Sequence, residues 1–130
     1  YSLDSETGLI NWKQSVNSNL TSSLINELIF SISNEGYLII IDNKTGNIIR
    51  ITDLFDSFKS KKRSKIKPVG FFVGKSNIYL TTDNGKLLVV DIKTGKTISI
   101  LKIDNEKISR PFVLNKNLYI IKENSIIKLN

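Results

Sequence analysis

The sequence predicts an all-β repeat fold, a β-propeller fragment of about three four-stranded antiparallel blades. Three observations lead there. A short pattern ending in Thr-Gly returns three times along the chain. Runs rich in β-branched and aromatic residues are bounded by Asn-Gly and Thr-Gly turn signals, and no stretch sustains a helical period, so helix should be scarce. The third strand of each unit is apolar on both faces.

The repeat comes first, because an overlooked period would misassign the whole chain. Leu3-Asp4-Ser5-Glu6-Thr7-Gly8, Ile41-Asp42-Asn43-Lys44-Thr45-Gly46 and Val90-Asp91-Ile92-Lys93-Thr94-Gly95 match one another, and their glycines stand 38 and then 49 residues apart. Upstream, Asn26-Glu27-Leu28-Ile29-Phe30, Lys75-Ser76-Asn77-Ile78-Tyr79 and Asn115-Lys116-Asn117-Leu118-Tyr119 match in the same way. Gly36 and Gly85 follow the first two aromatic residues, and Ser125 follows the third. The long interval carries extra residues with no counterpart elsewhere, from Phe55 to Lys65.

The unit around residue 80 shows the elements in order. Phe71-Phe72-Val73 reads as a first strand and Ile78-Tyr79-Leu80-Thr81-Thr82 as a second. Asp83-Asn84-Gly85 supplies a hairpin turn, since Asn and Gly tolerate positive φ. Lys86-Leu87-Leu88-Val89-Val90 is the third strand, Lys93-Thr94-Gly95 turns the chain, and Thr97-Ile98-Ser99-Ile100 is the fourth. Pro68 and Pro111 precede first strands, where a missing N–H is tolerated. The third strands, Tyr37 to Ile41 and Leu87 to Val90, are continuous apolar runs. A strand needs that when its sheet is covered on both sides, as a blade is between its neighbours. Four strands in about 40 residues is the propeller ratio.

These readings divide the chain into residues 1–16 as the end of a blade, 20–54 as a blade, 55–67 as a basic insertion loop, 68–104 as a blade and 108–130 as the start of another. The first residue is not Met and lies within a repeat, as expected of a piece of a longer protein.

Composition removes whole classes of chemistry. The chain has no Cys, His or Met, which excludes thiolate nucleophiles, imidazole bases, zinc fingers and haem ligation by those residues. No apolar run approaches the ~18 residues of a membrane-spanning helix, so no transmembrane segment is expected. The net charge of +7 rests mainly on lysine, beside abundant Ile and Asn and no Ala. An AT-rich coding genome imposes that bias, so the charge is not read as a nucleic-acid footprint.

The run from Asn77 to Gly95 resembles the repeat of the pyrroloquinoline-quinone-like propellers: an aromatic-bearing strand, an Asp-Gly-x-Leu-type turn, an apolar strand ending in Asp, and a Thr-Gly-led outer strand. Thr7-Gly8-Leu9-Ile10-Asn11-Trp12 is similar to that last element in its Thr-Gly-x-x-x-Trp form. In the family this Trp docks one blade on the next. Arg50 and Ser99 hold its place in the other units, so that contact is expected to be absent or replaced there. Neither the Gly-His and Trp-Asp pair of WD40 repeats nor a kelch-like glycine doublet is present.

The resemblance implies two activities. Some members are quinone- and calcium-dependent dehydrogenases. Others are cofactor-free scaffolds, among them the periplasmic lipoproteins that help to assemble outer-membrane β-barrels. The adjacent Cys pair of the dehydrogenases has no counterpart here. The expectation is therefore a non-catalytic scaffold for other proteins, by resemblance the outer-membrane assembly machinery, in the periplasm and with no cofactor. Structural blades of a dehydrogenase whose active site lies outside these residues, or a sensor or interaction propeller of a larger protein, are the alternatives.

Within the chain, Asp4, Asp42 and Asp91 recur once per unit and are read as turn caps. Trp12, Phe30, Tyr37, Tyr79 and Tyr119 are read as interblade packing. Gly36, Gly85 and the Thr-Gly pairs are read as turn chemistry alone. Lys59, Lys61, Lys62, Arg63, Lys65 and Lys67 form the dense basic cluster; Lys59, Lys61, Lys62, Arg63 and Lys65 are the candidates for partner contact, on a solvated surface loop. About three blades cannot close a ring of ~4–8. Open apolar blade faces should then make the chain self-associate.

Overall fold

The computed structural model describes residues 1–129. It contains four antiparallel meanders in chain order and one short helical turn. β1 (Ser2–Leu3) pairs with β2 (Ile10–Trp12). The second sheet holds β3 (Ser23–Ile25), β4 (Leu28–Ile32), β5 (Tyr37–Asp42) and β6 (Ile48–Asp53). After α1 (Ser60–Arg63), the third holds β7 (Pro68–Val73), β8 (Asn77–Thr82), β9 (Lys86–Asp91) and β10 (Thr97–Lys102). The last holds β11 (Phe112–Leu114), β12 (Asn117–Lys122) and β13 (Ser125–Leu129). Each sheet is one blade or part of one, so the chain is a propeller fragment. Pro68 is the first residue of β7 itself.

The Asp-x-x-Thr-Gly turns repeat one hydrogen-bond scheme. In each, the Gly N–H donates to the Asp carbonyl at 2.8 Å. The Asp Oδ1 accepts from the residue two ahead, at 2.9 Å for Asp4, 2.8 Å for Asp42 and 3.3 Å for Asp91. The Thr Oγ1 accepts from the residue two beyond it, at 3.3, 3.2 and 3.2 Å. The recurrent aspartates are thus engaged in local turn geometry, which explains why they return with the repeat period.

Strand register shows why the central strands are apolar throughout. Phe30 pairs with Ile40 and Ile32 with Leu38, so the four share one face of the second sheet. Ile78 pairs with Val90 and Leu80 with Leu88 on one face of the third. These eight residues form one core cluster with Leu54, Phe55, Ile66, Phe71 and Val73, and the main core therefore lies between two blades. The other face of the third sheet places Tyr79, Leu87 and Val89 against Ile108 and Ile120 of the last unit. Burying one such apolar side chain contributes about 1.5–3 kcal/mol, and both core clusters hold neighbouring blades together.

At two junctions, residues on or just beyond the outer strand dock one blade on the turn of the next. Trp12 Nε1 donates to the Asn43 carbonyl at 2.7 Å, and Gln14 Nε2 donates to the Gly46 carbonyl at 2.9 Å. A Cβ on Gly46 would stand 2.6 Å from the Trp12 ring. Arg50, at the Trp-equivalent position one blade later, donates from Nη1 to the Lys93 carbonyl at 3.0 Å. The guanidinium replaces the indole there with a similar reach and a similar acceptor.

Three expectations need correction. Segment 55–67 is not simply a surface loop: Phe55 is fully buried, Ile66 is nearly so, and residues 60–63 form a helical turn. A segment with two large apolar anchors gains more by burying them than by staying in solvent. Tyr37 is 38% exposed, and the Arg63 guanidinium lies 5.5 Å from its ring centroid, so it packs against the insertion. The turn glycines do more than turn, since Gly36 admits the Phe55 ring where a Cβ would collide, just as Gly46 admits Trp12.

Candidate interaction surface

The insertion is built from its anchors outward. The Leu54 N–H donates to the Gly36 carbonyl at 3.0 Å, laying the chain across the β4–β5 turn. The Phe55 N–H donates to Asp53 Oδ1 at 3.0 Å, and the ring drops into the gap above Gly36. Phe58 packs edge-on against Phe55 with ring centroids 5.6 Å apart. Ile66 brings the chain back into the core. At the exit, Lys67 and Asp83 are joined twice: the Lys67 N–H donates to Asp83 Oδ1 and the Asp83 N–H to the Lys67 carbonyl, both at 2.9 Å. The insertion is therefore stitched to the hairpin turns of two successive blades.

Of the basic candidates, Lys59, Lys61, Lys62 and Lys65 are exposed. Among the described residues, the ion pairs are Arg63–Asp53 and Lys122–Asp104, so none of these four lysines faces a carboxylate partner. Arg63 differs. Its two terminal nitrogens meet the two Asp53 oxygens at 2.6 Å each, a forked pair that holds the helical turn to the end of β6. The structure thus engages Arg63 internally and removes it from the free basic set.

Tertiary packing adds two lysines that chain position did not suggest. Lys86 opens β9 and stands opposite Lys102 in the β9–β10 register. Lys86 Nζ lies 5.1 Å from the Phe58 ring centroid, and Lys62 Nζ lies 5.9 Å from the same ring. The Lys86 pKa is pushed below the ordinary lysine range, first by its contact with Lys62, then by burial and by the charges of Lys62 and Lys102. No local sequence signal marks Lys86 or Lys102. The fold of the insertion brings Lys62 to Lys86, and strand pairing sets Lys102 opposite Lys86.

The aromatic candidates take different places. Trp12 and Phe30 sit as described above, against the β5–β6 turn and in the core between the second and third sheets. Tyr79 packs with Val89, Ile103 and Leu129 around Leu87, Ile108 and Ile120. Tyr119 stacks on Phe112 of its own sheet, at 5.6 Å and 21° between planes, on the face opposite the buried Ile120.

No group of three His, Cys, Asp or Glu side chains that could hold a metal ion exists among the described residues. Asp4, Asp42 and Asp91 are committed to their turns, Asp53 to Arg63 and Phe55, and Asp83 to Lys67. The donor set for a quinone-bound calcium does not fit these residues. Nor is any helix among them long and apolar enough to cross a membrane.

No protein-family profile and no curated protein matches the sequence. Solved structures do resemble the fold. BamB from Moraxella catarrhalis superposes with a TM-score of 0.67 at 16% identity, over 94% of this chain and 35% of its own. The quinohemoprotein alcohol dehydrogenase of Comamonas testosteroni gives 0.60 at 20% identity, over 85% of this chain and 17% of its own. The β-propeller domain of Swd1 from Myceliophteria thermophila gives 0.60 at 15% identity, over 72% and 31%. The chain spans about a third of the BamB length and less of the dehydrogenase. At these identities the likeness establishes the fold alone, a β-propeller fragment.

Proposed function

We propose that these blades belong to a non-catalytic propeller scaffold that holds other proteins, with the anchored basic insertion as its contact for an acidic partner. The construction of the insertion carries the reading. Ordering a loop costs about 1–2 kcal/mol per residue in backbone entropy. Here that cost is offset by Phe55, Ile66 and the Arg63–Asp53 fork, and the ordered segment then presents Lys59, Lys61, Lys62 and Lys65 to solvent. Fixed, unpaired charges steer an oppositely charged surface and set its register. The likeness to BamB, together with the sequence resemblance, favours outer-membrane assembly machinery as the partner and the periplasm as the compartment.

Site-specific photocrosslinking in the source cell tests this reading. A photoreactive residue at position 61 should trap a discrete protein, and the product should disappear when Lys59 and Lys65 are changed to Glu. The same group at position 44, in the β5–β6 turn, should trap nothing comparable. Equal products at both positions, or none at 61, would sink the proposal.

The dehydrogenase likeness favours a second reading, structural blades of a quinone-dependent enzyme whose active site lies outside these residues. It requires quinone- and calcium-dependent alcohol oxidation by the protein that carries them. The scaffold reading requires none.

A further inference from the structure

One lysine of the insertion, Lys62, also meets Lys86 over the Phe58 ring, and Lys86 faces Lys102 across the β9–β10 pair. Lys62 comes from α1, Lys86 from the first position of β9 and Lys102 from the last of β10, so three separate elements fix the arrangement. Lys86 and Lys102 are direct cross-strand partners, a placement that like charges disfavour. Lys62 then adds a third charge beside Lys86 over the same ring. The Phe58 face attracts ammonium groups and is itself held by Phe55, so the nitrogens are positioned in advance.

Among the described residues, none of the three lysines forms an ion pair with a neighbouring acid. Asp83 is held by the Lys67 N–H, and Asp104 lies 3.6 Å from Lys122. Both border the site, since Asp83 begins the turn that ends at Gly85 and the Asp104 N–H donates to the Gly85 carbonyl at 3.1 Å. Flanking carboxylates repel an extended polyanion such as nucleic acid or an anionic bilayer. They leave room for a small anion at the centre.

We propose that Lys62 and Lys86, which meet over Phe58, and Lys102, the cross-strand partner of Lys86, form a binding site for a compact divalent oxyanion of the phosphate-monoester class. Ammonium groups act as point charges without the planar fork of arginine, so the cluster ranks anions by charge and favours a divalent oxyanion over a monovalent carboxylate. A divalent anion relieves the mutual repulsion of these cations; the Lys86 pKa is lowered by its contact with Lys62, by burial, and then by the charges of Lys62 and Lys102. The site stands on its own geometry and goes beyond the protein-contact reading of the outer lysines.

Titration of the chain at constant ionic strength tests it, with inorganic phosphate, phosphoethanolamine and acetate as probes and lysine side-chain NMR signals as the readout. Phosphate should bind saturably, with the largest shifts at Lys62, Lys86 and Lys102, and acetate should bind much more weakly. Tighter binding of phosphoethanolamine than phosphate would point to an esterified source, and the reverse to free phosphate. Lys86→Gln or Lys102→Gln should weaken binding about tenfold, roughly one lost charge-assisted contact. Lys61→Gln, on the same insertion but outside the cluster, should leave it unchanged. Because both cluster variants remove a like-charge contact, their melting temperatures should equal or exceed that of the parent, which separates lost binding from lost folding. Non-saturable shifts, equal binding of acetate, or equal weakening by Lys61→Gln and Lys86→Gln would overturn the proposal.

Discussion

Asp91 accepts from the Thr94 hydroxyl at 2.8 Å and from the Lys93 N–H at 3.3 Å, and these bonds hold its pKa below the usual aspartate value, the Thr94 bond most. Asp4 is held low in the same direction by the N–H groups of Thr7 and Glu6. The sign of the consequence follows from linkage. A carboxylate whose folded pKa is depressed contributes its stability fully above the unfolded value, and that contribution disappears as pH falls through the folded pKa. Asp91→Asn should therefore destabilise the chain at neutral pH, and the gap to the parent should close below about pH 4. Denaturant titrations at several pH values measure this. A gap that persists unchanged well below the aspartate range would show that the charge plays no part in the turn.

The insertion is the element whose behaviour departs most from its composition. A lysine-rich segment of this kind is ordinarily mobile and open to proteases, yet here Phe55 seats it above Gly36 and Arg63 clips it to Asp53. Phe55→Ala should remove the larger anchor at a cost of about 3–5 kcal/mol, the usual range for a buried aromatic residue. Trypsin should then cut rapidly between residues 59 and 65, before the rest of the chain unfolds. Slow, global digestion of that variant would mean that the insertion is held by something other than Phe55. Much of this element was legible only in part. Its location, its charge and its two phenylalanines are visible in the sequence, but burial of Phe55 depends on a glycine in a turn nearly twenty residues earlier, and no local pattern reports that distance.

At the scale of the molecule, the blades cohere through faces that a further neighbour would cover. On the outer face of the last sheet, Tyr119 pairs with Phe112 and Lys128, and Ile121 pairs with Ile126. Leu114, Ile121 and Ile126 are 58%, 43% and 68% exposed there. At the other end Tyr1, Leu3, Leu9 and Ile10 are all more than half exposed. Apolar patches of this kind seldom stay in water. The 130-residue chain on its own should therefore self-associate with rising concentration. Leu114→Lys together with Ile126→Lys should shift sedimentation toward the monomer. A cooperative, well-behaved monomer of the parent sequence at high concentration would contradict the blade-face account.

The repeat itself determined the strands, the turns and the fold class. Each rests on information that is local or periodic: β-branched runs, Asn-Gly and Thr-Gly turns, and apolar continuity in Tyr37 to Ile41 and Leu87 to Val90. Tertiary structure decided the use of individual side chains. It took Arg63 out of the basic cluster, set Arg50 in the role that Trp12 holds one blade earlier, and drew Lys62 to Lys86, which faces Lys102. A strand's propensity and period follow from its own residues, whereas a site assembled from α1, β9 and β10 depends on the register of strands and the packing of blades. That juxtaposition exists only once the chain has folded.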